Sequence, residues 1–129
     1  MGNTAVAREL LELAPRVGFR ATSDAASPAA GWFAIHTDHD DPGLADALER
    51  ILRAGPRFVG VMGSRRHTGH QLDELRRRGL PETAVAAIQT PVGLDIGART
   101  APEIALSILA GLVAVRAGAD GGWKEAPRS

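Results

Sequence analysis

A doubly wound α/β fold with a mostly parallel sheet is the architecture this 129-residue chain predicts, and three observations predict it. Short runs of β-branched and aromatic residues alternate with amphipathic segments of helical period. The apolar run Phe58-Val59-Gly60-Val61-Met62 passes through Gly63 into Ser64, a strand, a tight turn and a helix N-cap in immediate succession. A second junction stands at Thr100, where Glu103 completes a capping box and Pro102 occupies the first turn, in which its missing N–H costs nothing.

Taken in order, Val6, Leu10 and Leu13 repeat at helical spacing, and Pro15 and Gly18 close that segment before Phe19-Arg20-Ala21-Thr22, an expected strand. A loop over 23–31 leads to a second strand, Trp32-Phe33-Ala34-Ile35. Leu44, Leu48, Ile51 and Leu52 line one face of the next helix, which Gly55-Pro56 stops. After the strand at 58–62, a helix from Arg65 to Arg78 ends at Gly79, and Ala86-Ala87-Ile88 reads as a short fourth strand. The last helix runs from Ala101 to Ala117. Ile104, Ile108, Leu112 and Val115 share one face, but Leu106, Leu109 and Val113 surround the rest, so burial on more than one side is expected, against the sheet or a dimer partner. Residues 1–118 form the domain and 119–129 a flexible tail.

One element is missing from the pattern. A doubly wound nucleotide-binding chain opens with a central strand that runs into a glycine turn, whereas here Gly2-Asn3-Thr4 follows Met1 directly. An absent central strand would expose sheet edges and favour pairing with a partner, so a homo-oligomer is expected. Asp24 lies about twenty residues beyond Gly2, the spacing of a ribose-binding acid, but no Gly-x-Gly-x-x-Gly loop accompanies it, and a turn-stabilising role competes.

Composition narrows the function classes. Fifteen basic and fifteen acidic residues cancel, so no global field draws the chain to nucleic acid or to a membrane surface. No apolar run is long enough to span a bilayer or to serve as a signal peptide. With no cysteine there is no disulfide framework, thiolate metal site or persulfide chemistry, and a cytoplasmic location is expected. Charge is nevertheless uneven: between Arg57 and Arg78 six arginines face only Asp73 and Glu74.

The chemistry concentrates at the two junctions. Gly63, Ser64, Arg65 and Arg66 outline an anion site, because helix amides and the positive dipole end favour phosphate and two arginines stand where a first turn normally takes acids. A capped helix with solvated arginines is the competing structural reading. At the second junction Gly93 and Gly97 permit close backbone approach, and Asp95 and Arg99 are either a loop brace or ligand contacts. Arg76-Arg77-Arg78, at the other end of the same helix, complements its C-terminal dipole. The cluster His36-Thr37-Asp38-His39-Asp40-Asp41 contains metal-ligand types, as do His67 and His70, but turn and cap chemistry before Pro42 accounts for it, and no metal site is expected. Neither a nucleophile elbow nor a P-loop is present.

The runs Val59 to Arg66, Pro91 to Thr100 and Pro102 to Leu109 closely resemble the C-terminal Rossmann-like domain of the xanthine dehydrogenase accessory protein (XdhC/CoxI) family. The resemblance extends over almost the whole chain. It implies a Rossmann-like fold here lacking its first strand, and a non-enzymatic protein that binds the molybdenum cofactor (molybdopterin) as cargo and helps mature a xanthine dehydrogenase-like molybdenum hydroxylase, its client. It also sets Thr37, Asp38 and His39 beside the ligand cleft, with Ser64 and Arg65 or Arg66 on the phosphate and Asp95 and Arg99 on polar pterin edges. Two alternatives stay open: an NAD(P)-binding oxidoreductase domain, which the missing glycine loop disfavours, and a non-binding remnant that oligomerises or docks on the hydroxylase.

Overall fold

A computed structural model describes residues 5–23, 31–38 and 40–125. Along the chain these form α1 (Ala5–Leu13), a 3-10 turn (Ala14–Val17), β1 (Phe33–His36), α2 (Leu44–Arg53), β2 (Phe58–Val61), α3 (Arg65–Arg77), the short α4 (Glu82–Ala86) and α5 (Ala101–Ala117). β1 and β2 pair in parallel, with Phe33 opposite Phe58 and His36 opposite Val61. On the other side of β2, Gly60 bridges in parallel to Gln89, so β2 is interior, as its apolar run predicts.

Strand alternation divides the core in two. Val59 and Val61 point to a cluster built by Leu44, Leu48 and Ile51 of α2, Leu72 and Leu75 of α3, and Val85 and Ile88 around α4. Phe33, Ile35, Phe58 and Met62 point the opposite way, to Val6 and Leu10 of α1 and to Ile108, Leu109 and Leu112 of α5. Helices therefore cover both faces of the sheet. Leu44, Leu48 and Leu75 have no exposed surface, and each contributes roughly 1.5–3 kcal/mol by leaving water. Gly60 is required by this packing, since a Cβ there would collide with the Val92 side chain.

Two sequence expectations are corrected and one is met. Residues 19–22 form no strand; instead this stretch, α1, α5 and one edge of β1 line a cavity of about 440 Å³. A strand needs a ladder, and the β-like composition of Phe19-Arg20-Ala21-Thr22 supplies none by itself. Ala86 belongs to α4 rather than to a strand, because the alanine-rich run after Pro81 takes helical turns, and ladder contact with β2 begins only at Gln89. The expected burial of α5 on more than one side is met, since Ala105, Ile108, Leu109 and Leu112 face α1 and the sheet while Ser107 packs against the Gly93-Leu94 segment, although Leu106 and Val115 are exposed. No helix of the described residues is long and apolar enough to cross a membrane.

Candidate functional site

Because the strands are parallel, their C-terminal ends open on the same side, which is where open α/β sheets bind ligands. The Met62 amide bonds the His36 carbonyl at 2.9 Å, so Thr37-Asp38 and Gly63-Ser64 leave the sheet side by side. The third segment joins them through the Val92 amide, 3.0 Å from the Val61 carbonyl. Gly63 turns the chain at φ 129°, and Ser64, in extended geometry, caps α3 by accepting from the His67 amide at 3.3 Å.

Arg65 and Arg66 follow in the first turn, both exposed, and among the described residues neither guanidinium has a carboxylate or carbonyl partner. The opposite end of α3 is fully paired. Arg76 binds Asp73 at 2.8 Å and Glu82 at 2.7 Å, Arg77 binds Glu74 at 3.1 Å, and Arg78 reaches Asp46 at 2.8 Å, Glu49 at 3.0 Å and Glu74 at 3.1 Å. Hydrogen bonds from these arginines and from Arg53 hold the carboxyls of Glu49, Glu74 and Glu82 below their ordinary range, and the acids in turn push Arg76 and Arg78 up.

Two buried threonines fasten the Gly63-Ser64 turn to the third segment, and the sequence reading missed both. Thr68 and Thr90 are completely buried, with their hydroxyl oxygens 3.0 Å apart. Thr90 Oγ1 contacts the Gly63 carbonyl, and Thr68 Oγ1 lies 3.1 Å from the Ser64 carbonyl. Thr68 was detectable: it stands at i−4 and i−7 from Leu72 and Leu75, on the core face, where a polar side chain needs a partner. Thr90 carries no comparable local signal.

Beyond β1, His36 is buried and its ring is fixed at both nitrogens. Nδ1 accepts the Asp38 amide at 3.2 Å, which leaves Nε2 to donate to Asp41 Oδ2, also 3.2 Å away. Burial holds the imidazole below its ordinary pKa, against the opposing pull of Asp41. Asp41 Oδ1 also accepts the Gly43 amide and Asp38 Oδ1 the Asp40 amide, so this acidic stretch braces the turn into α2. Among the described residues no three His, Asp or Glu side chains gather as a metal cluster. Thr37 is buried and Asp38 half-buried at the strand end, whereas His39 lies outside the described residues, as do Asp24 and Gly2.

The second junction is only partly joined to the first. Gly93 sits near the strand ends, but its glycine requirement comes from α5: φ is 112°, and a Cβ would lie 2.6 Å from Ser107 Oγ. Asp95, Gly97 and Arg99 are exposed, and no hydrogen bond or ion pair among the described residues links Asp95 to Arg99 or either to the Gly63-Ser64 turn. The internal brace is therefore not formed. Arg99 acts through its backbone amide, which with that of Thr100 bonds Glu103 and holds its carboxyl below the ordinary value. The capping box closes as the sequence predicts.

A family model described as the XdhC Rossmann domain matches residues 1–112. The chain is 37% identical over 93 residues to the uncharacterized protein YqeB of Escherichia coli (strain K12), covering 72% of this chain and 17% of YqeB. It is 30% identical over 122 residues to PaoD, a molybdenum cofactor insertion chaperone of the same organism, covering 89% of this chain and 38% of PaoD. The chain thus spans well under half the length of these relatives. A crystal structure described as a xanthine dehydrogenase from Bacillus halodurans shares the fold, with a TM-score of 0.68 at 22% identity over 93% of this chain and 42% of that one.

Proposed function

The chain belongs to the XdhC family through its Rossmann domain, and from this premise we propose that it binds the molybdenum cofactor as cargo at the C-terminal strand ends and passes it to a xanthine dehydrogenase-like molybdenum hydroxylase. The observation that carries the proposal is the unpaired arginine pair at the start of α3. Two cations stand where the helix dipole opposes them and no described acid compensates, whereas the three arginines at the other end of the same helix are all paired. An anion bound across the α3 amides, Ser64 and Arg65 or Arg66 supplies the missing charge. The cofactor's phosphate is such an anion, and the name of the relative PaoD supports it as the cargo.

In this reading Thr37 and Asp38 flank the phosphate from the neighbouring strand end, and Asp95 and Arg99, uncommitted to each other, meet polar edges of the pterin. The task is recognition and release, so no residue is assigned to catalysis. The client hydroxylase, self-association and a cytoplasmic setting belong to the same proposal. Titration of the full chain with molybdopterin and with NAD tests it: molybdopterin should bind more tightly, because one capped turn suits one phosphate and not a dinucleotide pyrophosphate loop. Tighter binding of NAD would overturn the assignment.

A further inference from the structure

We infer that Thr90 is a positioning residue: its hydroxyl holds the Gly63 carbonyl and thereby sets the direction in which the first amides of α3 face at the C-terminal strand ends. Three oxygen contacts join Thr68, Thr90 and the turn, but the two hydroxyls carry only two protons. One contact must therefore go without a hydrogen. The Ser64 carbonyl already accepts from the amides of His67 and Thr68, each at 3.0 Å, so it loses nothing when Thr68 turns away. Among the described residues the Gly63 carbonyl has only Thr90. The consistent arrangement is a directed chain, with the Thr68 hydroxyl donating to Thr90 and the Thr90 hydroxyl donating to Gly63.

Burial makes this more than filling. Valine has the shape of threonine without its polar group, and at two sites with no exposed surface a hydroxyl costs free energy unless it is bonded. What the pair gains is a fixed Gly63-Ser64 peptide between β2 and α3. The third segment, which carries Thr90, is held to β2 by the Gln89 and Val92 amides, so the turn is referenced to the sheet rather than to its own helix. The order of the chain predicts an asymmetry. Loss of the Thr90 hydroxyl strands a carbonyl, whereas loss of the Thr68 hydroxyl leaves Thr90 donating as before.

Its link to cargo rests on the function proposed above, and the test separates the two. Amide hydrogen exchange over residues 63–67 and molybdopterin titration are measured on the full chain and on Thr90→Val, Thr68→Val and Thr90→Ser. Thr90→Val should speed exchange there and weaken molybdopterin by about tenfold each, as for one lost hydrogen bond, while amides of α2 keep their protection. Thr68→Val should change either by less than about threefold, and Thr90→Ser should restore wild-type behaviour, since it returns the donor. Unchanged exchange in Thr90→Val, or equal opening in Thr68→Val, overturns the relay. If Thr90→Val does not fold, the other two variants decide it: Thr90→Ser opening this turn about tenfold would refute the assignment, and wild-type protection in both would uphold the predicted order. Failure of the wild-type chain to bind molybdopterin would overturn the cargo reading alone, and exchange would still decide the relay.

Discussion

The two ends of α3 carry arginine clusters of similar composition in opposite circumstances. Arg76, Arg77 and Arg78 lie where the dipole favours cations, and five acids from α2, α3 and α4 hold them. Arg65 and Arg66 lie where the dipole disfavours cations, and no described acid meets them. The first cluster is a brace between helices. The second is unpaired among the described residues, and that contrast, rather than the number of arginines, is what the proposed phosphate site rests on.

Reversing charge at the unpaired end gives the largest expected effect. Arg65→Glu should abolish molybdopterin binding, since a like charge facing the phosphate costs several kcal/mol. The same change should leave thermal stability equal or higher, because an acid in the first turn of a helix gains about 0.3–1 kcal/mol from the dipole. Calorimetric melting and a binding titration on one sample check both. A variant that melts early and binds normally would make Arg65 structural and collapse the comparison.

Neutral substitutions sharpen it. Arg65→Ala should weaken molybdopterin by about 1.5–3 kcal/mol, as for a lost charge-assisted hydrogen bond. Arg77→Ala, at the braced end, should leave the affinity unchanged, and titration of both variants under one buffer tests the pair. Equal losses would mean that both ends act only through net charge. Arg78→Ala, which removes contacts to three acids, should lower the melting temperature at low salt without touching affinity.

Local chemistry was legible in the sequence and long-range pairing was not. Ser64 and Thr100 announce their caps because a cap is decided within four residues, and both form as expected. Interior placement of the strand at 58–61 followed from its continuous apolar run. Phe19 to Thr22 misled because strand composition says nothing of whether a ladder partner exists. The Thr68 and Thr90 contact joins positions 22 apart, and nothing near Thr90 in the chain marks it. The need for glycine at position 93 comes from Ser107 on α5, a contact that no local pattern contains.

Acidity separates the strand-end side from the braced end of α3 by the pH below which each begins to lose stability. At the strand-end side, the buried His36 ring is neutral, with Nδ1 accepting the Asp38 amide and Nε2 donating to Asp41. Its folded pKa lies below the ordinary 6.5, chiefly through burial, so as pH falls below that value the unfolded chain takes up the proton first. Stability is therefore complete above 6.5 and declines as pH falls through the folded value. Protonating Nδ1 also sets a donor against the Asp38 amide, which loosens the Thr37-Asp38 strand end. At the braced end, Glu49, Glu74 and Glu82 have folded values below the ordinary 4.5, so the stability from their pairing is present above 4.5 and lost only as pH falls further. As pH falls below 6.5 the strand-end side should lose stability first, while the brace keeps its contribution down to 4.5. Thermal melts from above pH 6.5 down to 4.5, with amide shifts of Asp38 and of residues 76–78 followed by NMR, would show it: stability should begin to fall below 6.5, Asp38 should move wherever the ring itself titrates, and the brace amides should stay still above 4.5. Movement of the brace amides above 4.5 would mean that the two sides are one electrostatic unit.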